Sequence, residues 1–284
     1  MRVLILGATG CIGQALASTL RAHGHAVTEG RRRPAPVGVA CLTFDFAEPC
    51  SPQAWADRLS AAGGFDVLIN AVGILMEDER HPFERIHAQG PAECFEGAAL
   101  AGVPRVLQIS ALGVGPLASD LRTPYALSKL QADEVLLRLT DEGRVQGIVV
   151  RPSLVYGPRS QSAALFQQLA RLPVVGLPGL GAQRVQPIHV LELAEVVARM
   201  AEQPWPHADQ GAAVHEVAGP QVLTYREMLR CYRRAQGLGD PVWLPVPMPF
   251  MRLGARLAQR LDQQAFSPET LAMLEHGNIA TVNA

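Results

Sequence analysis

The sequence predicts an α/β fold: a doubly wound parallel sheet of the Rossmann type with a smaller C-terminal substrate region. Three observations carry this expectation. Short β-branched or leucine-rich runs alternate with helical patterns, the first run opens into a glycine-rich turn, and proline and glycine become dense only after about residue 156.

The first strand is RVLILG (2–7), followed by a helix over 11–23 (CIGQALASTLRAH) with apolar residues at helical spacing, closed by Gly24. HAVTEG (25–30) is the second strand, and LTFDFAEP follows a third. FDVLINA (65–71) is the fourth. A helix over 91–101 (PAECFEGAALA) ends at Gly102 before RVLQIS (105–110), and QGIVVRP (146–152) comes sixth. VQPIHVLELAEVVARMAEQ reads as a short strand and a helix returning to the main sheet. The expected division is a nucleotide-binding domain over 1–155, rejoined by 184–203, and a loop-rich smaller region over 156–183 and 204–284.

Of 284 residues, 48% are hydrophobic and 18% charged, enough for a sizeable core. Lys plus Arg (25) nearly balance Asp plus Glu (26), so no overall field points to nucleic acid or anionic lipid. The five cysteines never form C-x-x-C, and neither a metal site nor a disulfide framework is expected. The apolar start is too short for a signal peptide, and no run of about 20 apolar residues is present to span a bilayer. A reducing cytoplasm is the expected location. His23 and His25, flanking the turn into the second strand, are expected to be solvated.

Gly7-Ala8-Thr9-Gly10-Cys11-Ile12-Gly13 is G-x-x-G-x-x-G between a strand and a helix. A pyrophosphate needs a tight turn, close backbone approach and free N–H groups at a helix start, and glycines here permit all three. Dinucleotide binding follows. A ribose reader belongs at the end of the second strand, acidic for NAD or arginine for a 2′-phosphate, and this chain has Glu29-Gly30-Arg31-Arg32-Arg33 there. Asp45, with Phe46 after it, is placed either to accept from the adenine amino group or as an ordinary turn aspartate. Ala71, Val72 and Gly73 close the fourth strand with small residues that let the backbone approach a ribose.

With GATGCIG, INAVG, YALSK and RPSLVYGP in order, the chain resembles the short-chain dehydrogenase/reductase superfamily in its extended or atypical branch. ISALG, PIHVLELA and the tail FSPETLAMLEHGNIA are similar to bacterial relatives of the NADPH-binding accessory subunit of mitochondrial complex I. Matched to the nucleotide-sugar epimerase pattern, the acidic ribose slot falls on Arg31. With Arg32 beside it, NADP(H) is favoured over NAD(H), because guanidinium groups suit a phosphate dianion. The resemblance implies that Tyr125 is the general acid or base on the substrate oxygen, and that Lys129 binds the nicotinamide ribose and lowers the tyrosine pKa. Positions i and i+4 share a helix face, and a phenol titrating near about 10 needs such help. Pro152, Ser153 and Val155 would lie beside the nicotinamide.

The third catalytic group, a serine or threonine hydroxyl, would fall at Ala111 or Leu112, where none exists. Ser110 and Thr123 are the substitutes offered by the sequence. His87 stands where many members carry asparagine, as a proton relay or as a core histidine. Residues 248–261 (MPFMRLGARLAQRL) set Arg252, Arg256 and Arg260 at i, i+4 and i+8 among Met251, Leu253, Leu257 and Leu261. This basic amphipathic helix suits a membrane surface or protein partner, or else caps the small region with its arginines in water. Three functions follow: an NADP(H)-binding oxidoreductase reducing a carbonyl with Tyr125; a non-catalytic, nucleotide-holding assembly factor for a membrane or quinone-linked complex, peripheral to the inner membrane; or a nucleotide-sugar epimerase or dehydratase.

Overall fold

A computed structural model describes residues 1–117, 120–203, 213–259 and 267–281. Seven strands form one sheet: β1 (Arg2–Leu6), β2 (Ala26–Arg31), β3 (Cys41–Thr43), β4 (Val67–Asn70), β5 (Arg105–Ile109), β6 (Gln146–Pro152) and β11 (Ala213–Val217). Their order is β11-β6-β5-β4-β1-β2-β3, with every pair parallel. The direction of winding therefore reverses between β1 and β4, and the crevice outside the strand ends there is where such sheets bind ligands.

Both faces are covered, so the strands are apolar on both sides. Val3 and Ile5 of β1 face helices α1 (Cys11–Ala22) and α6 (Val190–Glu202), meeting Leu16, Leu20, Leu193 and Val197. Leu4 and Leu6 point the other way, into Trp55, Leu59, Phe95 and Leu136 of α2 (Pro52–Ala61), α3 (Gly90–Leu100) and α4 (Pro124–Asp141). The expected return of the chain after residue 184 is made by α6, and its C-terminal Glu202 accepts from His23 and His25 at 2.7 and 2.8 Å. These two histidines thus fasten α6 to the α1–β2 turn instead of lying free in solvent.

The strand ahead of α6 joins a different partner: β10 (Ile188–His189) pairs with β7 (Val155–Tyr156), outside the main sheet. The sheet takes its edge strand from β11, within the segment that the sequence assigns to the smaller region. AVHEV is short and mixed in polarity, as an edge strand can be, and it carries little sequence signal. The smaller region holds α5 (Gln161–Leu169), β8 (Val174–Pro178), β9 (Arg184–Val185), β12 (Leu223–Thr224), α7 (Tyr225–Ala235), β13 (Val242–Val246), α8 (Met248–Gln259) and α9 (Pro268–His276). Its core joins Val175, Leu177, Tyr225, Met228 and Leu229. Within α8, Arg252 pairs with Glu275 of α9 at 3.0 Å, and Phe250 and Leu253 are exposed. The side chains of Arg256, Leu257, Arg260 and Leu261 lie outside the described residues. No helix among the described residues is long and apolar enough to cross a membrane.

Candidate active site

The glycine turn is built by sterics. Gly7 has φ +76°, and a Cβ there would lie 2.9 Å from the Ala71 carbonyl oxygen; at Gly13 it would lie 2.2 Å from that of Gly7. These two glycines let β1, β4 and α1 close on one another. A Cβ at Gly10 would meet only the Gly7 oxygen, at 3.3 Å, so Gly10 presents bare backbone to the cleft. The turn is tied to β2 by the Gly7 and Ala8 N–H groups, which both donate to the Gly30 carbonyl at 3.1 and 3.2 Å. No side chain caps α1, whose first N–H groups therefore face the cleft without an intrahelical partner. A dinucleotide pyrophosphate fits such an end.

One cleft of about 790 Å³ gathers nearly every residue that the sequence selects. Gly7, Thr9, Gly10, Cys11, Ile12, Arg31, Arg32, Asp45, Phe46, Ala71, Val72 and Gly73 line one end; Ser110, Tyr125, Lys129, Pro152, Ser153 and Val155 line it further along. Gly13 stays behind the turn as a packing glycine. Asp45 serves a turn as well, its Oδ1 accepting from Ala47 N–H at 3.0 Å. Glu29 does not line the cleft: Arg21 binds it at 2.8 Å and Arg31 approaches it at 3.5 Å. Arg31 keeps a buried Nε without a partner, while Arg32 donates to His81 Nε2 at 3.1 Å.

Thr123, Pro124 and the α4 helix set the face that carries Tyr125 and Lys129. Thr123 is the N-cap, accepting from Ala126 N–H at 3.2 Å, and it does not line the cleft, so its hydroxyl is no substitute for the missing one. Tyr125, Lys129 and Asp133 follow at i, i+4 and i+8, all buried. Lys129 Nζ donates to the carbonyls of Val72 (3.1 Å) and Ile109 (3.2 Å), which fixes it beside Gly73. Burial brings its pKa down to about 8, against the opposing pull of Asp133. Burial also pushes the Tyr125 phenol up to about 12, with Asp133 and Glu269 adding to the rise. The resemblance implied a tyrosine lowered by the lysine; in this structure desolvation, Asp133 and Glu269 all act to raise it.

Ser110 lines the cleft, but its hydroxyl donates to Asp133 Oδ2 at 2.8 Å. Arg151 reaches the same oxygen at 3.3 Å, and Asp133 Oδ1 has no partner. Desolvation raises Asp133 to about 6, against the Ser110 hydrogen bond and the Arg151 and Lys129 charges. The hydroxyl position of the resemblance is occupied by Ala111, which lines the cleft, whereas Leu112 does not. Sequence reasoning missed Asp133, although Y-x-x-x-K-x-x-x-D repeats one helix face.

His87 sits in a π-helical turn, Glu84–Gln89, that runs into α3. Pro91 has no N–H for the His87 carbonyl, and the hydrogen-bond ladder shifts register there. His87 Nε2 accepts from Ile74 N–H at 3.0 Å, which leaves Nδ1 to face Ser128 Oγ at 3.2 Å. The ring stacks on Phe83 and meets the Tyr125 edge, both with centroids 5.2 Å apart. Burial and Lys129 hold it well below the usual histidine range. It is a neutral core histidine that positions the loop after β4, and its acceptor nitrogen is already taken.

The model of the NAD dependent epimerase/dehydratase family matches residues 3–211. The chain belongs to that family. Within this family of extended short-chain dehydrogenases/reductases, it is 27% identical over 287 residues to a 3-diazoavenalumate denitrifying reductase of a Streptomyces species, across 92% of this chain and 90% of the relative. It is 25% identical over 289 residues to a UDP-glucose 4-epimerase of Vibrio cholerae, across 92% and 83%. In fold it resembles MoeE5 in complex with UDP-glucose and NAD, with a TM-score of 0.69 at 19% identity over 99% of this chain and 95% of that one. The Thermus thermophilus UDP-glucose 4-epimerase in complex with NAD gives 0.69 at 21% identity over 87% and 86%. This epimerase/dehydratase-family chain is thus an NAD(P)-binding Rossmann protein.

Proposed function

We propose that the protein is an NADP(H)-dependent reductase of a carbonyl group, with Tyr125 as proton donor. The observation that carries this reading is the pairing of Tyr125 and Lys129 on one face of α4 inside the cleft, the phenol held protonated at about 12. The reduced nicotinamide, when bound, supplies the hydride to the carbonyl carbon. Tyr125 gives its Oη proton to the carbonyl oxygen, and solvent restores it. Lys129, its pKa lowered to about 8 and so still an ammonium near neutral pH, steadies the tyrosinate left behind. The glycine turn, Asp45 and the Ala71–Gly73 backbone would hold the nucleotide. Arg31 and Arg32 favour a 2′-phosphate, a reading supported by the withdrawal of Glu29 onto Arg21. The wild type is expected to bind NADPH at least about tenfold more tightly than NADH, and Arg31→Asp to remove the difference; equal wild-type affinities would sink the NADP(H) assignment. Tyr125→Phe should stop carbonyl-dependent NADPH oxidation while nucleotide affinity holds; unchanged turnover removes the mechanism.

A second reading is favoured by Ala111 and by the Ser110 hydroxyl, which is committed to Asp133. A site whose serine hydroxyl is committed elsewhere suits a nucleotide-holding assembly factor, whose exposed Phe250 and Leu253 on α8 would meet a partner or the inner membrane from the cytoplasmic side. Copurifying NADPH that no carbonyl oxidises would select it.

A further inference from the structure

Resting on the carbonyl-reduction reading, we propose that the substrate is an uncharged carbonyl compound carrying a hydrocarbon arm, and not a nucleotide diphosphate sugar. Two walls lead away from Tyr125. Leu75 and Met273 pack with Tyr125 and Ala111 on one side. Leu154, Phe166, Met228 and Leu274 continue the core of the smaller region on the other. Four of the seven methionines in the chain, Met76, Met228, Met251 and Met273, line this cleft. Unbranched thioethers adapt to apolar groups of varied shape and offer an anion nothing.

The charges that the cleft does contain lie elsewhere or are spent. Arg31, Arg32 and Asp45 stand at the ends of β2 and β3, and Arg32 joins His81, which pairs with Asp78 at 2.9 Å. Lys129 is committed to two carbonyls. Arg159, held at φ +67°, lines the cleft and follows Pro158, whose carbonyl accepts from Cys11 Sγ at 3.4 Å, which sets its backbone near the β1–α1 turn. The three helix starts along this end each carry a side-chain cap, α5 by Ser160 on Ala163 N–H, α7 by Thr224 on Glu227 N–H and α9 by Ser267 on Thr270 N–H, all at 3.2 Å. Among the described residues that line the cleft, the exposed Arg159 is, besides Lys129, the one cation beyond the nucleotide end, and a single exposed arginine would leave a substrate diphosphate poorly compensated for its lost water.

The test titrates 2-alkanones from butan-2-one to decan-2-one, and separately UDP-glucose, into protein saturated with NADP⁺, where no hydride is available and binding alone is read. Affinity is expected to rise about fourfold per methylene, which corresponds to about 0.8 kcal/mol, with UDP-glucose binding more weakly than decan-2-one. Met273→Gln should cut decan-2-one affinity by roughly fivefold and leave butan-2-one nearly unchanged. Affinity that is flat with chain length, or tighter UDP-glucose binding, overturns the substrate class. NADPH oxidation by the same ketones is read apart: a rising affinity series without oxidation removes carbonyl reduction and leaves the apolar ligand class standing.

Discussion

At Ser110 the decisive fact is where one hydrogen goes. A serine hydroxyl has a single proton to donate, and here Asp133 takes it at 2.8 Å. Ser110→Ala is therefore expected to change kcat by less than about threefold, far below the 10²- to 10³-fold cost typical of losing an oxyanion donor. Ala111→Ser places a hydroxyl on the cleft wall, and kcat with a good carbonyl substrate is expected to rise about tenfold. Steady-state NADPH oxidation by both variants checks the pair; a large loss in Ser110→Ala would show that the serine serves the substrate after all. Tyr125 and Lys129 were legible because a helix repeats every i+4, whereas the fate of the Ser110 proton was not, since Asp133 lies in a different element. His87 was left open by the sequence for the same reason: its partner, the Ile74 N–H, is set by a loop.

Among the elements, the β1–α1 turn separates two jobs that a glycine motif merges. Gly13 exists for packing, since a Cβ would overlap the Gly7 oxygen at 2.2 Å, whereas Gly10 presents open backbone to the cleft. Gly13→Ala is expected to cost about 1–3 kcal/mol of stability and lower nucleotide affinity with it. Gly10→Ala should keep stability within about 1 kcal/mol while lowering nucleotide affinity at least about tenfold. Thermal unfolding beside nucleotide titration separates the two; matched losses in both variants would contradict the division. Strands β1, β4 and β6 were readable from short apolar runs, because burial on both faces favours them, whereas β2 (AVTEGR) and β5 (RVLQI) carry polar residues and were readable from their place in the strand–helix alternation. The π-helical turn was hidden, since it lies ahead of Pro91, where the sequence reads as the start of an ordinary helix.

For the whole molecule, the buried Ser110–Asp133–Arg151 group makes stability depend on pH. Asp133 titrates near 6 in the folded protein and near 3.8 as an ordinary carboxylate, so the folded state binds its proton first. The cost of burying that charge is present above about 6 and is relieved as pH falls through 6. The wild type is thus expected to gain in Tm relative to Asp133→Asn as pH drops from neutral through 6; a constant difference between the two would show that Asp133 does not titrate there. The division of the chain was only partly readable, because β11 and the cleft wall made by α9 come from far along a sequence without strong periodicity. That wall is anchored at Asn278, which forms a bridge to Val185 and accepts from the Leu154 N–H. Any ligand that leans on Leu271, Met273 and Leu274 must raise the free energy needed to detach α9 by the amount α9 contributes to holding the ligand. Amide exchange along α9 is therefore a gauge of cleft occupancy, readable without chemistry taking place at the other end of the site.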